Sequence, residues 1–123
     1  MLSSLLPKFE LRMAYSVRVT DRAHENVMSS VGYIVKTLRA PHAAARLLES
    51  YDAALNSLRV NLTFNPLDTT ATRRYGRNIY RKSVRNYALF YYVEKDASEV
   101  VIFSFLHKHQ DTAAHLFLDY EKM

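Results

Sequence analysis

The sequence predicts an α+β fold in which one strand precedes a helical hairpin, three antiparallel strands follow it in the same sheet, and a short helix ends the chain. Three observations predict this class. Residues 15–19 alternate apolar and polar side chains, residues 23–58 repeat apolar side chains at helical spacing, and residues 79–106 contain three strand-like runs. A chain of 123 residues with 49% hydrophobic side chains suits one domain.

The first strand follows from a period-two pattern. Tyr15, Val17 and Val19 fall on one face of a strand, with polar residues between them. The preceding residues 1–12 lack this pattern and are predicted to be an N-terminal extension that need not be ordered. Residues 13–123 then form the single domain, and Met13 is an alternative start of translation.

Two amphipathic helices are predicted next. Thr20 or Asp21 can cap the first helix, whose apolar positions recur as far as Leu38. Pro41 suits the first turn of a second helix, which is predicted to end at about Leu62. Two helices joined by a tight break form an αα-hairpin, and their apolar faces are expected to lie in the core.

The three later strands are predicted at about 79–85, 87–93 and 99–106. Polar residues 94–98 would join the last two strands as a hairpin. The final strand is apolar almost throughout, which indicates a central strand covered on both faces. Thr112 can cap a short helix near the C-terminus.

The charge of the chain favours an anionic partner. The formal net charge is +5, and no acidic residue occurs between Thr69 and Val93. Side chains predicted to bind nucleic acid or an acidic partner are Arg73, Arg74, Arg77, Lys82, Lys108 and Tyr92. The charge alone does not distinguish RNA or DNA from an acidic protein.

Composition excludes other classes. The chain has no cysteine, which excludes disulfides and thiol catalysis and suits a reducing cytosol. No apolar run approaches the roughly 20 residues of a membrane span. We therefore expect neither a thiol enzyme nor a membrane partner.

Four segments resemble the RelE/ParE family of bacterial toxins from type II toxin–antitoxin systems. Residues 86–93 (NYALFYYV) are similar to the family's NYxIFYxV strand, and residues 100–107 (VVIFSFLH) to its VVIxxVLH strand. Residues 41–48 (PHAAARLL) resemble its PxAAxRxL helix opening, and Asp111 stands where many ParE-like members have the Asp of a final RRD. The resemblance covers roughly residues 13–115.

This resemblance implies a cytoplasmic toxin that a cognate acidic antitoxin neutralises, without a cofactor. ParE-like members poison DNA gyrase, and that branch is slightly favoured by the NYALFYYV strand, the end LHKHQD (residues 106–111) and Ala88. RelE-like members are the alternative, because they are ribosome-dependent mRNA interferases that cleave RNA without a metal. A third interpretation is a degenerate, non-toxic binding module of the same fold, since fold alone does not decide the target.

On the ribonuclease alternative, Arg81, Lys82 and Arg85 would bind phosphate. His107 or His109 would move protons. Strand alternation places Arg81 and Arg85 on one face and Lys82 on the other. The structural alternative is a solvated edge strand whose charges prevent aggregation. His107 and His109 lie two residues apart and are predicted to share a face, but without a third ligand they do not make a metal site.

Two further positions bear on the choice of target. RelE-like nucleases usually have arginine directly after the tyrosine of the aromatic strand, and this chain has Ala88 there, which disfavours the ribonuclease. Tyr87, Tyr91 and Tyr92 could stack on the bases of a single strand. Packing within the sheet is the other role open to these rings.

Overall fold

The computed structural model of the protein describes residues 15–110 and 112–123. The predicted α+β class with a single sheet is confirmed, and the predicted extension at residues 1–12, Met13 and Asp111 all lie outside the described residues. In chain order the elements are β1 (Ser16–Val19), α1 (Asp21–Lys36), α2 (Pro41–Leu58), α3 (Thr69–Tyr75), β2 (Tyr80–Val84), β3 (Tyr87–Glu94), β4 (Glu99–His107) and α4 (Thr112–Glu121).

The sheet has four strands in the order β1-β4-β3-β2. The first strand pairs in parallel with the last, and the other two pairs are antiparallel. Strand β4 is therefore internal, and every residue from 100 to 106 is buried. The prediction of a central final strand covered on both faces is confirmed.

A separate hydrophobic cluster covers each face of the sheet. The helical hairpin α1–α2 packs on one face, where Leu89 and Tyr91 point, and the helices α3 and α4 pack on the other, where Ala88 and Phe90 point. Strand alternation sends neighbouring residues of β3 to opposite clusters. Most of the two predicted apolar stripes lies in the core, but Val35, Leu38 and Leu48, which were predicted to belong to them, are exposed.

Strand β4 contains a β-bulge opposite the middle of β3. The pairing register shifts between Phe90 and Tyr91, so that Phe103 is an extra residue in β4. A bulge interrupts alternation, and Phe103 and Ser104 consequently both face α4. The hydroxyl of Ser104 can thereby donate a hydrogen bond of 2.6 Å to Asp119 on that helix.

The segment before β2 departs from the prediction. Helix α2 ends at Leu58 rather than Leu62, and the unpredicted helix α3 follows. Asp68 caps α3 by accepting a hydrogen bond from the Ala71 N–H, and Gly76 ends it in the left-handed conformation with φ of 65°. An acidic N-cap and a C-terminal glycine at this spacing are signals the sequence carries.

The predicted helix starts are confirmed. Thr20 caps α1, since its Oγ1 accepts a hydrogen bond of 3.1 Å from the Ala23 N–H, and Pro41 is the first residue of α2. Helix α4 begins with Thr112 itself, whose hydroxyl donates a hydrogen bond of 3.3 Å to the Gln110 carbonyl, so a capping role for Thr112 stays a prediction. Within residues 15–110 and 112–123, no helix has the length and apolarity that crossing a membrane requires.

Tyr91 makes the stability of the fold sensitive to pH in the alkaline range. Its side chain is fully buried and its hydroxyl accepts a hydrogen bond of 2.9 Å from Asn65. Burial raises the pKa of Tyr91 to about 12, against about 10 for a tyrosine of the unfolded chain. The folded state therefore holds the phenolic proton more tightly, and this stabilisation is complete below about pH 10 and lost as the pH rises through about 12.

We expect the free energy of unfolding to fall between about pH 10 and pH 12, and to fall less in Tyr91→Phe. The variant should lose about 1 kcal/mol near neutral pH, because Asn65 loses its partner. Urea unfolding across this range measures both effects. A remaining decline is expected because burial also raises the pKa of Tyr51, Tyr75 and Tyr92. Identical declines in the two proteins would contradict the role of Tyr91.

Candidate functional site

A cleft of about 350 Å³ opens on the α4 side of the sheet, where β2, β3 and β4 lie beside the start of α4. Its floor is apolar and its rim carries cations. None of its described lining residues is acidic. This basic cleft is lined by Arg81, Ser83, Ala88, Phe90, Leu106, His107, Lys108 and Thr112.

His107 ends β4 at the edge of the basic cleft. Its ring meets Tyr87 edge-on at 5.0 Å, and its Nδ1 accepts a hydrogen bond of 3.1 Å from the backbone N–H of His109. A neutral His107 that accepts at Nδ1 carries its proton on Nε2. The two imidazoles lie 5.1 Å apart, but the described residues contain no group of three side chains that could hold a metal ion.

The three basic residues around β2 point in different directions. Arg81 is exposed and lines the basic cleft, whereas Lys82 lies on the opposite face of the strand. Arg85 lies in the turn after β2 with φ of 54°. The prediction that Arg81 and Arg85 share a strand face is wrong, because the turn begins one residue earlier than the sequence suggested.

A second cavity, of about 340 Å³, lies on the hairpin side of the sheet. Tyr33 and Leu38 are half-exposed at its edge, at 54% and 55%. His107 borders both cavities, and none of the residues lining the second is acidic. We call it the apolar groove; it is lined by Tyr33, Ile34, Leu38, Ala40, Ala43, Arg46, Leu47, Arg85, Asn86, Tyr87 and His107.

Several other predicted binding residues make contacts inside the fold. Arg77 contacts Glu94 at 2.7 Å and lies 3.7 Å above the ring of Tyr92. Arg74 likewise lies between an acidic and an aromatic side chain of α4. Arg73 is exposed on α3 and borders neither cavity. A binding role for these residues stays a prediction, and for Arg77 and Tyr92 it requires their mutual contact to open.

The aromatic strand uses its rings for packing. Tyr91 stacks on Tyr80 with ring centroids 5.2 Å apart, and Tyr87 stacks on Phe105 at 4.9 Å. The buried ring of Tyr92 is covered by α4 and by the guanidinium above it. Packing, the structural alternative for these tyrosines, accounts for all three rings.

Asp119 is a buried carboxylate on α4, 3% exposed, that was not predicted from the sequence. Its oxygens accept hydrogen bonds from Arg22 at 2.8 Å, Asn26 at 2.8 Å and Ser104 at 2.6 Å. These bonds tie α4 to α1 and to β4, and so position the helix whose first residue, Thr112, lines the basic cleft. The available signal was a single acid within the apolar run LFLDY.

Comparison with known proteins assigns the chain to a family of toxins. The family model described as the ParE toxin of the type II toxin–antitoxin system parDE matches residues 17–112. The chain therefore belongs to the ParE toxin family, and the predicted RelE/ParE relationship and toxin class are confirmed. No curated protein matches the sequence. The toxin–antitoxin complex RelBE2 of Mycobacterium tuberculosis is similar at 23% identity over 78% of this chain and 93% of that chain, with a TM-score of 0.47.

Proposed function

We propose that this toxin inhibits growth by acting on DNA gyrase in the bacterial cytoplasm, and that a cognate acidic antitoxin neutralises it. The observation that carries the choice of target is Ala88 on the floor of the basic cleft. RelE-like nucleases have arginine at the matching position of the aromatic strand. A methyl group there cannot stabilise the charge that develops on phosphorus during RNA cleavage.

The other basic residues do not compensate for Ala88. Arg85 borders the apolar groove instead of the basic cleft, and Arg77 is paired with Glu94. Metal-free cleavage of RNA requires cations around the phosphate and groups that both remove and deliver a proton. With Arg81 and Lys108 as the cations that line the cleft, the site favours an inhibitor that acts by binding.

The apolar groove suits the antitoxin. Half-exposed Tyr33 and Leu38 offer apolar contacts, and Arg46 and Arg85 lie beside them in the groove. An amphipathic helix with apolar anchors and acidic flanking residues matches such a surface in both packing and charge. We therefore place the main antitoxin contact here rather than on the paired arginines.

Purified gyrase tests the target. We expect the toxin to make gyrase accumulate cleaved DNA from a supercoiled plasmid in the presence of ATP, and prior addition of the antitoxin to prevent it. Messenger RNA in a reconstituted translation reaction should stay intact with the same preparation. Unaffected gyrase together with cut messenger RNA would contradict the proposal.

The second candidate function is ribosome-dependent cleavage of mRNA, favoured by the presence of Arg81, His107 and Lys108 around one cleft. It predicts that His109→Ala abolishes growth inhibition, since an imidazole would then be needed to move a proton. The variant keeps the backbone N–H of residue 109, which donates a hydrogen bond to Nδ1 of His107, so the local fold should persist. A degenerate binding module, by contrast, would inhibit growth in neither form.

A further inference from the structure

We infer that the basic cleft binds a phosphodiester group of a DNA strand without cleaving it. The inference rests on the proposed function, because a toxin bound to gyrase meets the DNA that gyrase holds. The cavity of about 350 Å³ has the size of a small-ligand site and has polar groups at its rim. The inference extends the proposed function, because it assigns a ligand to a cleft for which gyrase as the target does not by itself supply one.

The two cations of the cleft have no acidic partner within residues 15–110 and 112–123. Arg81 and Lys108 make no ion pair among the residues that the structure describes. By contrast, carboxylates lie 2.7–3.5 Å from four other arginines of the fold, Arg18, Arg22, Arg74 and Arg77. A guanidinium and an ammonium beside one cavity attract an anion, and a phosphate has enough oxygens to accept hydrogen bonds from both.

The shape of the cleft leaves room for such a group. Ala88 contributes only a methyl group to the floor, beside the apolar side chains of Phe90 and Leu106. The hydroxyl of Ser83 makes no side-chain hydrogen bond to another described residue and can donate to a phosphate oxygen. No described lining residue carries a negative charge that would repel the ligand.

His107 offers the bound phosphate a hydrogen-bond donor rather than a general base. Its Nδ1 is occupied by the His109 N–H, so the neutral ring carries its proton on Nε2. In that tautomer Nε2 donates a hydrogen bond, and DNA has no ribose 2′-hydroxyl whose oxygen could attack the phosphate. The same imidazole that would be a general base in a nuclease is here a further donor to the phosphate.

Binding of short oligomers tests the inference. A labelled oligothymidylate of about ten nucleotides is titrated with the toxin at about 50 mM and about 200 mM salt, and its fluorescence anisotropy is recorded. We expect Arg81→Ala and Lys108→Ala each to weaken binding about tenfold. Each should also reduce the slope of log affinity against log salt by about 0.7, because one phosphate contact is lost.

Lys95→Ala is the matched control, since it removes the same charge from an exposed side chain in the turn at the opposite end of β3. It should change the affinity less than about twofold.

Ser83→Glu is the second test variant, because it places a carboxylate at the cleft on an exposed residue. It should abolish oligomer binding while thermal unfolding remains unchanged.

Equal losses in Arg81→Ala and Lys95→Ala, unchanged binding in Ser83→Glu, or no binding by the native protein would overturn the inference. Binding of an oligouridylate but not the oligothymidylate would overturn the assignment to DNA. The gyrase assay separates the two proposals. Gyrase inhibition without cleft-dependent binding would refute this inference alone, and cleft-dependent binding without gyrase inhibition would refute the target alone.

Discussion

Replacing Asp119 with alanine is expected to lower the free energy of unfolding by about 3 kcal/mol. Removal of this buried carboxylate leaves three donors, on Arg22, Asn26 and Ser104, without their acceptor. The Arg22 side chain is 34% exposed and regains some hydration, which holds the loss near the lower end of the range for broken buried pairs. Urea denaturation followed by circular dichroism measures the change.

Two control variants separate the charge from the hydrogen bonds. Asp119→Asn keeps the size and one acceptor oxygen and should lose less than alanine does. Ser104→Ala removes one donor and leaves the ion pair with Arg22 intact, so we expect a loss of about 1 kcal/mol. A loss below about 1 kcal/mol in Asp119→Ala would show that α4 is held by its apolar contacts alone.

Leu38→Glu is expected to weaken the complex with the antitoxin about 30-fold or more. The side chain lines the apolar groove, and a carboxylate in its place would remove an apolar contact and repel an acidic partner. Because Leu38 is more than half exposed, the substitution should leave folding unchanged. Isothermal titration of the toxin with its cognate antitoxin gives the affinity.

Leu118→Glu is the matched control for the groove. It makes the same chemical change at a leucine on α4 that is 41% exposed and lies outside the groove. Its affinity for the antitoxin should equal that of the native toxin within about twofold. Equal affinities of Leu38→Glu and the native protein would remove the groove from the antitoxin interface.

The sequence predicts most of this fold because its strongest patterns are local. Alternation at Tyr15–Val19, the stripe of α1 and the apolar run of β4 each encode burial directly. The bulge at Phe103 depends instead on how two strands pair, which no single strand encodes. Helix α3 was not predicted because its seven residues are too few for a repeated apolar stripe, although Asp68 and Gly76 carry its capping signals.

The candidate site was less predictable than the fold, because the sequence shows which residues are charged but not which of them form ion pairs. Arg77 and Arg81 are four residues apart and alike in the sequence, yet one contacts Glu94 and the other faces an open cleft. Arg85 lies on the other side of the sheet from its predicted position, because the turn after β2 starts one residue earlier than predicted. The role of Asp119 depends on Ser104 of β4, whose hydroxyl donates to it at 2.6 Å, and the sequence of α4 alone does not encode that contact.

The central claim, that this ParE-family toxin acts on gyrase, is tested most directly by pulse-labelling in a bacterium. Incorporation of thymidine and of amino acids is followed through the first minutes after brief induction of the toxin. We predict that thymidine incorporation falls first and that the cells then grow into filaments. Early loss of amino-acid incorporation while DNA synthesis continues would contradict the claim and establish translation as the target.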